Sequence, residues 1–154
     1  MFPGIPLLQC YNYMATQTIP ANTLTPVIWT APINYLAINF GGITLNGLPG
    51  NSFTNTYNIP VKLFISAFIA TISTFDMTGA GLGICLIDNV TGFNQGLNFT
   101  YGAAGGASIN LPYTVSAGGS FQIGTIGSAT ANSNYVIGST TQAQQNFLTI
   151  FILN

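Results

Sequence analysis

VKLFISAFIATIST, residues 61–74, is the longest stretch of the sequence that is typical of a single β-strand. Successive side chains of a strand point to opposite faces of its sheet. One face of this strand would therefore carry Phe64, Phe68 and Ile72. The opposite face would also be mostly apolar, with Leu63, Ile65, Ile69 and Thr71. The stretch predicts a strand that is apolar on both sides.

The stretch FLTIFIL, residues 147–153, has the same property, because aromatic and aliphatic side chains alternate along it. One face of each strand can fill the core of a sandwich. In an antiparallel sheet without helices, only another chain is left to cover the second face. We therefore expect an oligomer. The candidate interface residues are aromatic: Trp29, Phe64, Phe68, Phe147 and Phe151.

Further strands are predicted wherever Val, Ile, Phe, Tyr and Thr cluster between turn residues. They cover residues 24–30, 35–40, 83–88, 97–101, 108–115, 121–126 and 135–139. Gly, Pro and Asn recur too often for long helices. At 154 residues the chain has the length of one domain. We expect an all-β jelly-roll sandwich over residues 16–154, preceded by an irregular N-terminal arm over residues 1–15.

Charge is almost absent from the sequence, since Lys62, Asp76 and Asp88 are its only charged side chains. Globular domains usually carry roughly a quarter charged residues. A single cation cannot neutralise nucleic-acid phosphates, so nucleic-acid binding is excluded. The apolar fraction of 48% excludes a disordered chain. The longest apolar run, residues 59–72, contains Lys62 and is shorter than the roughly 20 residues of a spanning helix, so no membrane insertion is expected.

Catalytic chemistry has few groups available, because the sequence has no His and no Glu. Nucleophile–histidine pairs and imidazole metal sites therefore cannot form within one chain. Asp76 and Asp88 could pair as acid and base or bind Ca²⁺, but their neighbours favour turn formation. Lys62 could steer an anionic partner, although protection of an edge strand is favoured. We predict no catalytic residue, cofactor or metal.

Other side chains leave alternatives open. The cysteines Cys10 and Cys85 could form a disulfide, but two unpaired thiols are favoured because the first residues do not have the pattern of a signal peptide. The tyrosines Tyr11, Tyr13, Tyr57, Tyr101, Tyr113 and Tyr135 are expected to be exposed. They could bind sugar rings or, as we favour, pack in subunit contacts.

Three segments resemble the C1q/TNF-like jelly rolls. Residues 17–27 (QTIPANTLTPV) are similar to the entry into the first strand, residues 57–67 (YNIPVKLFISA) to the central strand, and residues 147–153 to the last. Pro60, Lys62 and Phe64 depart from the usual central-strand pattern. The resemblance implies a compact homotrimer in which the first, central and last strands share the inner sheet.

Jelly-roll domains without a collagen-like stalk are similar to trimeric cement or decoration proteins of phage capsids and to viral fibre heads. The resemblance implies a virion structural protein on the capsid exterior, bound to other capsid proteins. Its arm would dock through apolar residues: Pro3, Ile5, Pro6, Leu7 and Leu8. The alternative is a receptor- or glycan-binding head of a viral fibre or spore-surface filament, with specificity in residues 47–58 and 102–106. An enzyme would need a site built between subunits from hydroxyls and the two aspartates.

Overall fold

A computed structural model describes residues 6–11, 16–34, 42–47, 50–70, 81–92, 94–101, 106–128, 135–138 and 146–153. Within these residues the chain forms thirteen β-strands and no helix. The strands are β1 (Pro6–Tyr11), β2 (Gln17–Ile19), β3 (Thr25–Pro26), β4 (Ala31–Asn34), β5 (Ile43–Leu45), β6 (Phe53–Asn55), β7 (Val61–Ala70), β8 (Gly81–Asp88), β9 (Asn94–Tyr101), β10 (Gly106–Val115), β11 (Ser120–Ser128), β12 (Tyr135–Ile137) and β13 (Phe147–Ile152).

Two antiparallel sheets form the sandwich. The first has the strand order β10-β7-β13-β1-β4, and the second has the order β5-β6-β11-β8-β9 with β3 paired to β11. A two-stranded sheet of β12 and β2 completes the pairing. The expected all-β jelly-roll architecture is confirmed, with the central strand β7 and the last strand β13 adjacent in the first sheet.

The core lies between the two sheets and is built by alternation along their strands. In β7 the side chains of Leu63, Ile65 and Ile69 are fully buried, whereas their neighbours on the other face are only partly buried. Phe121 of β11 stacks on Phe53 of the same sheet, with ring centroids 5.4 Å apart. Such burial stabilises the fold by roughly 25 cal/mol for each Å² of apolar surface removed from water.

The N-terminal arm is corrected by the structure over residues 6–11. These residues form β1, which lies inside the first sheet between β13 and β4. Pro6 occupies the first position of the strand, where its missing N–H is tolerated, and the register shifts between Pro6 and Leu8. Pro6, Leu7 and Leu8 therefore belong to the sheet. Pro3 and Ile5 lie outside the described residues.

The predicted opening strand over residues 24–30 is also corrected. Only Thr25–Pro26 forms a strand there, paired with β11 of the second sheet. The first strand of the sheet that contains β7 and β13 is instead β1. Most other predicted strands are confirmed within two or three residues, among them β8, β10 and β11. The predictions for residues 35–40 and 71–74 lie outside the described residues.

Asp88 ties the two sheets together at one end of the sandwich. Its Oδ1 accepts hydrogen bonds from the backbone N–H groups of Val90 and Thr91, at 2.8 and 3.0 Å. Its Oδ2 accepts one from the hydroxyl of Tyr113 on β10, at 2.8 Å. The expectation that Asp88 forms a turn is confirmed. Asp76 lies outside the described residues.

The ionisation of this pair follows from its surroundings. Burial raises the pKa of the Asp88 carboxyl, but the hydrogen bonds from Thr91, Tyr113 and Val90 outweigh burial and hold the pKa below its ordinary value. Burial, the hydrogen bond to Asp88 and its negative charge all raise the pKa of Tyr113. The ionised carboxylate and the neutral phenol are thus the favoured pair.

Replacing Tyr113 by phenylalanine tests this tie. The pKa of Asp88 is lower in the folded chain than its unfolded value of about 3.9, so its contribution to stability is present above that value and is lost as the pH falls through the folded pKa. Acid should therefore destabilise the wild type more than Tyr113→Phe. At pH 7 the free energy of unfolding of the variant should be roughly 1 kcal/mol lower than that of the wild type. The loss is modest because Asp88 is partly exposed and solvent screens its hydrogen bond. Urea unfolding from pH 2 to 7 at fixed protein concentration measures this, with Tyr57→Phe as the control. An equal loss at every pH would contradict the tie.

Candidate interaction surface

The outward side of the first sheet carries four phenylalanines, which we call the aromatic face: Phe64, Phe68, Phe147 and Phe151. They alternate with buried core residues along β7 and β13, because both strands are apolar on both sides. All four are partly exposed in the single chain. Four of the five predicted interface residues thus lie on one surface.

Strand register arranges the aromatic face in two pairs. Phe68 lies opposite Phe147, and their rings stack with centroids 5.7 Å apart and 20° between planes. Phe64 lies opposite Phe151, with centroids 6.3 Å apart and rings tilted by 55°. Such aromatic contacts hold each ring in a defined position on the outer side of the sheet.

A polar row separates the two aromatic pairs, and consists of Asn110 on β10, Ser66 on β7 and Thr149 on β13. Ser66 lies directly opposite Asn110 on one side and Thr149 on the other. The hydroxyl of Ser66 donates a hydrogen bond of 2.7 Å to Oδ1 of Asn110. The sequence carries a signal for this row, because Phe–x–Ser–x–Phe in residues 64–68 and Phe–x–Thr–x–Phe in residues 147–151 place a hydroxyl midway between two rings.

Trp29, the fifth predicted interface residue, does not belong to this surface. Its side chain is fully buried in the core of its own chain. Its backbone N–H donates to the Gly50 carbonyl at 2.8 Å, and the Gly50 N–H donates back at 3.1 Å. The prediction that Trp29 faces another subunit is therefore wrong, because residues distant in sequence cover it.

Lys62 begins the outward face of β7 and is exposed. β7 lies between β10 and β13, so Lys62 is not on an edge strand. The interpretation of Lys62 as protection for an edge is therefore wrong. Its backbone carbonyl accepts a hydrogen bond of 2.9 Å from the N–H of Leu153, which places Leu153 beside the start of β7.

Tyr57 forms a second exposed feature, on the segment between β6 and β7. Its side chain is 41% exposed. A Cβ added to Gly42 would lie 2.7, 2.8 and 2.9 Å from three carbons of the Tyr57 ring, so the ring packs closely over this glycine. Gly42 also has φ +59°, which favours glycine. The predicted exposure of Tyr57 is confirmed, whereas Tyr113 and Tyr135 are buried at 6% and 4% exposure.

Hydrogen bonds hold the segment that carries Tyr57. The side chain of Asn55 is fully buried, and its Oδ1 accepts from the Tyr57 backbone N–H at 3.0 Å. Its Nδ2 donates to the carbonyls of Ile59 at 2.9 Å and Ser116 at 3.0 Å. Thr56 donates to the Gly42 carbonyl through both its N–H and its hydroxyl. Tyr57 is therefore presented on a well-bonded backbone.

Reactive side chains are scarce in the part of the chain that the structure describes. Cys85 is a free thiol and is buried, and burial raises its pKa to about 11. A thiol of this kind is protonated near neutral pH and reacts slowly. Among the described residues, no three His, Cys, Asp or Glu side chains come together to hold a metal ion. In the same residues, no helix is long and apolar enough to span a membrane.

Comparison by sequence finds no matching model of a known family and no similar curated protein. Comparison by structure does find similar folds. Eiger TNF from S. frugiperda has a TM-score of 0.59 at 12% identity, over 99% of this chain and 94% of its own. Murine APRIL at pH 5.0 has a TM-score of 0.60 at 12% identity, over 96% of this chain and 98% of its own. The PRD1 vertex protein P5 has a TM-score of 0.62 at 14% identity, over 99% of this chain and 100% of its own.

These similarities extend over nearly the whole chain, although the sequences have diverged widely. They agree with the all-β sandwich found here and with the C1q/TNF resemblance of the sequence. The chain therefore has a C1q/TNF-like jelly-roll fold.

Proposed function

We propose that the chain is a virion structural protein that works as a homotrimer assembled through the aromatic face. The observation that carries this proposal is the pair of phenylalanine contacts on the outer side of β7 and β13. Large rings exposed side by side mark protein interaction sites. A second copy of the chain is the partner favoured by the C1q/TNF-like fold. The role is mechanical and includes no catalytic step.

The geometry of the first sheet is compatible with a closed ring of three chains. β10 forms one edge of the sheet, and the aromatic face lies on β7 and β13 beside it. In a cyclic trimer each interface is heterologous and joins two different surfaces of the chain. In the proposed trimer, the β10 edge of one subunit meets the aromatic face of the next. The outward face is uncharged from Phe64 to Phe68 and from Phe147 to Phe151, which avoids the cost of burying ions.

The finer role that we propose is that of a cement or decoration protein on the exterior of a capsid. The fold of the PRD1 vertex protein P5, named for its place in a virion, supports a virion location. The remaining docking candidates, Pro3 and Ile5, precede β1, which begins at Pro6 opposite Phe151. Two apolar residues near the start of β7 are also exposed, Ile59 at 60% of its surface and Leu153 at 38%. Together with Pro3 and Ile5, these side chains would dock the trimer on other capsid proteins.

A second candidate function, a glycan-binding head, is favoured by Tyr57. One side of its ring packs over Gly42, and much of the side chain stays exposed. Aromatic rings held in this way offer a flat apolar surface to the C–H groups of a sugar. Tyr57 lies within residues 47–58, which the sequence predicts as a specificity loop, whereas residues 102–105 of the other predicted loop lie outside the described residues.

Light scattering of the purified full chain tests the trimer. The wild type should have a native mass of three times 16.2 kDa. Phe64→Thr with Phe68→Thr should shift the mass toward a single chain, because loss of each buried ring at the centre of an interface costs about 2 kcal/mol or more. Leu97→Thr is the control, since Leu97 is exposed at 53% on β9 in the other sheet. A stable, soluble wild-type monomer would refute the proposal.

Removing residues 2–5 tests the docking segment. This truncation leaves Pro6 and the whole of β1 in place, so the fold and the native mass should be retained. Cosedimentation with shells prepared without the protein should show strong binding by the wild type and at least tenfold weaker binding by the truncated chain. Equal binding by the two proteins would show that the segment does not dock the trimer.

Tyr57→Ala tests the glycan-binding alternative. The wild type should bind members of a glycan array, and the variant should lose about 1–2 kcal/mol of binding free energy, a loss of affinity of roughly 5- to 30-fold. Tyr135→Phe serves as the control at a buried tyrosine. An array on which the wild type binds no glycan would count against this function.

A further inference from the structure

We propose that the polar row of Asn110, Ser66 and Thr149 sets the register of the subunits, so that neighbouring copies of this chain fit in a single alignment. The inference rests on the proposed homotrimer. The row lies in the middle of the surface, with the Phe68–Phe147 pair on one side and the Phe64–Phe151 pair on the other. Polar groups that served only solubility would be expected at the rim of an apolar patch, where water remains.

The spacing of the rows explains why register needs a determinant. Residues on one face of a strand repeat every second position, so adjacent rows are about 6.6–6.8 Å apart along the strands. A face made only of rings could slide by one row and still bury rings against rings. With the polar row in the middle, a slide by one row would place hydroxyl and amide groups against phenylalanine rings. Only one alignment places the polar row of one copy against the polar row of the next.

The hydrogen-bonding state of the row supports the same conclusion. Ser66 already donates its proton to Oδ1 of Asn110, which fixes the orientation of the amide. Within the described part of the chain, the Asn110 amide nitrogen and the Thr149 hydroxyl have no hydrogen-bond partner, and both residues are accessible to a neighbour. Buried polar groups must find partners or lose free energy when water is excluded. In the matched alignment these groups can bond across the interface.

Single polar residues in otherwise apolar contacts have this effect in coiled coils, where a buried asparagine fixes register and oligomeric state at a cost in stability. Asn110 lies on the edge strand β10, and Thr149 lies two strands further in, on β13. When the edge of one subunit meets the face of the next, Asn110 of one copy can reach the polar row of its neighbour. The row would thus act between copies as well as within one chain.

The test replaces the row by apolar groups of similar size in the full chain, as Ser66→Ala, Asn110→Leu and Thr149→Val together. The variant should keep a mass of three chains and unfold at a temperature no lower than that of the wild type. Its backbone amide NMR spectrum should show two or more sets of peaks for β7, β10 and β13, where the wild type shows one set. Thr44→Val, at an exposed threonine on β5, is the matched control and should retain one set.

A second comparison guards against misfolding of the triple variant. Thr149→Val alone keeps the shape of the side chain and removes only the hydroxyl, and Thr149→Ser restores a hydroxyl. Peak doubling in Thr149→Val that disappears in Thr149→Ser would support the proposal. A single set of peaks in both the triple variant and Thr149→Val would overturn it, whether or not the unfolding temperature falls. A wild type with the mass of one chain would instead refute the trimer itself, and the register proposal with it.

Discussion

The strand β7 is mostly apolar on both of its faces, and the arrangement of the molecule depends on this constraint. Its inward residues, such as Leu63 and Ile65, pack in the core between the two sheets. Its outward residues Phe64 and Phe68 are paired with the rings of β13 but remain partly exposed. The single chain thus buries one face of β7 almost completely and the other only in part. Association with another copy would complete the burial that a single chain leaves unfinished.

The near absence of charge is consistent with this arrangement. Asp88 is engaged in a turn and with Tyr113, and Lys62 stands at the beginning of β7 beyond the aromatic face. The aromatic face and the polar row within it therefore present rings, hydroxyls and one amide, none of which requires a counterion when buried. A surface of this kind offers little electrostatic repulsion between copies. Specificity must then come from shape and from the positions of a few hydrogen-bonding groups.

The sequence predicts the features that local alternation determines, and it fails where strand order decides. β7 and β13 could be found because rings and aliphatic side chains alternate over six or more residues. β1 could not be predicted in this way, because proline at its first position is unfavourable for a strand. It is recognised as a strand only from its pairing with β13. The central position of Lys62 and the burial of Trp29 depend on neighbours distant in sequence. The polar row was present in the pattern, but its alignment required the register of three strands.

Assembly and recognition would use separate parts of this fold. The aromatic face lies on the outer side of the first sheet, whereas Tyr57 packs over Gly42, next to β5 at the edge of the second sheet. Asn55 holds the Tyr57 segment through bonds to Ile59 and Ser116, none of which involves a residue of the aromatic face. Burying that face in a trimer would therefore leave the hydrogen bonds that hold the Tyr57 segment intact. A trimer of this construction could present three sugar-binding rings, so assembly through the aromatic face and glycan binding at Tyr57 do not compete for the same surface.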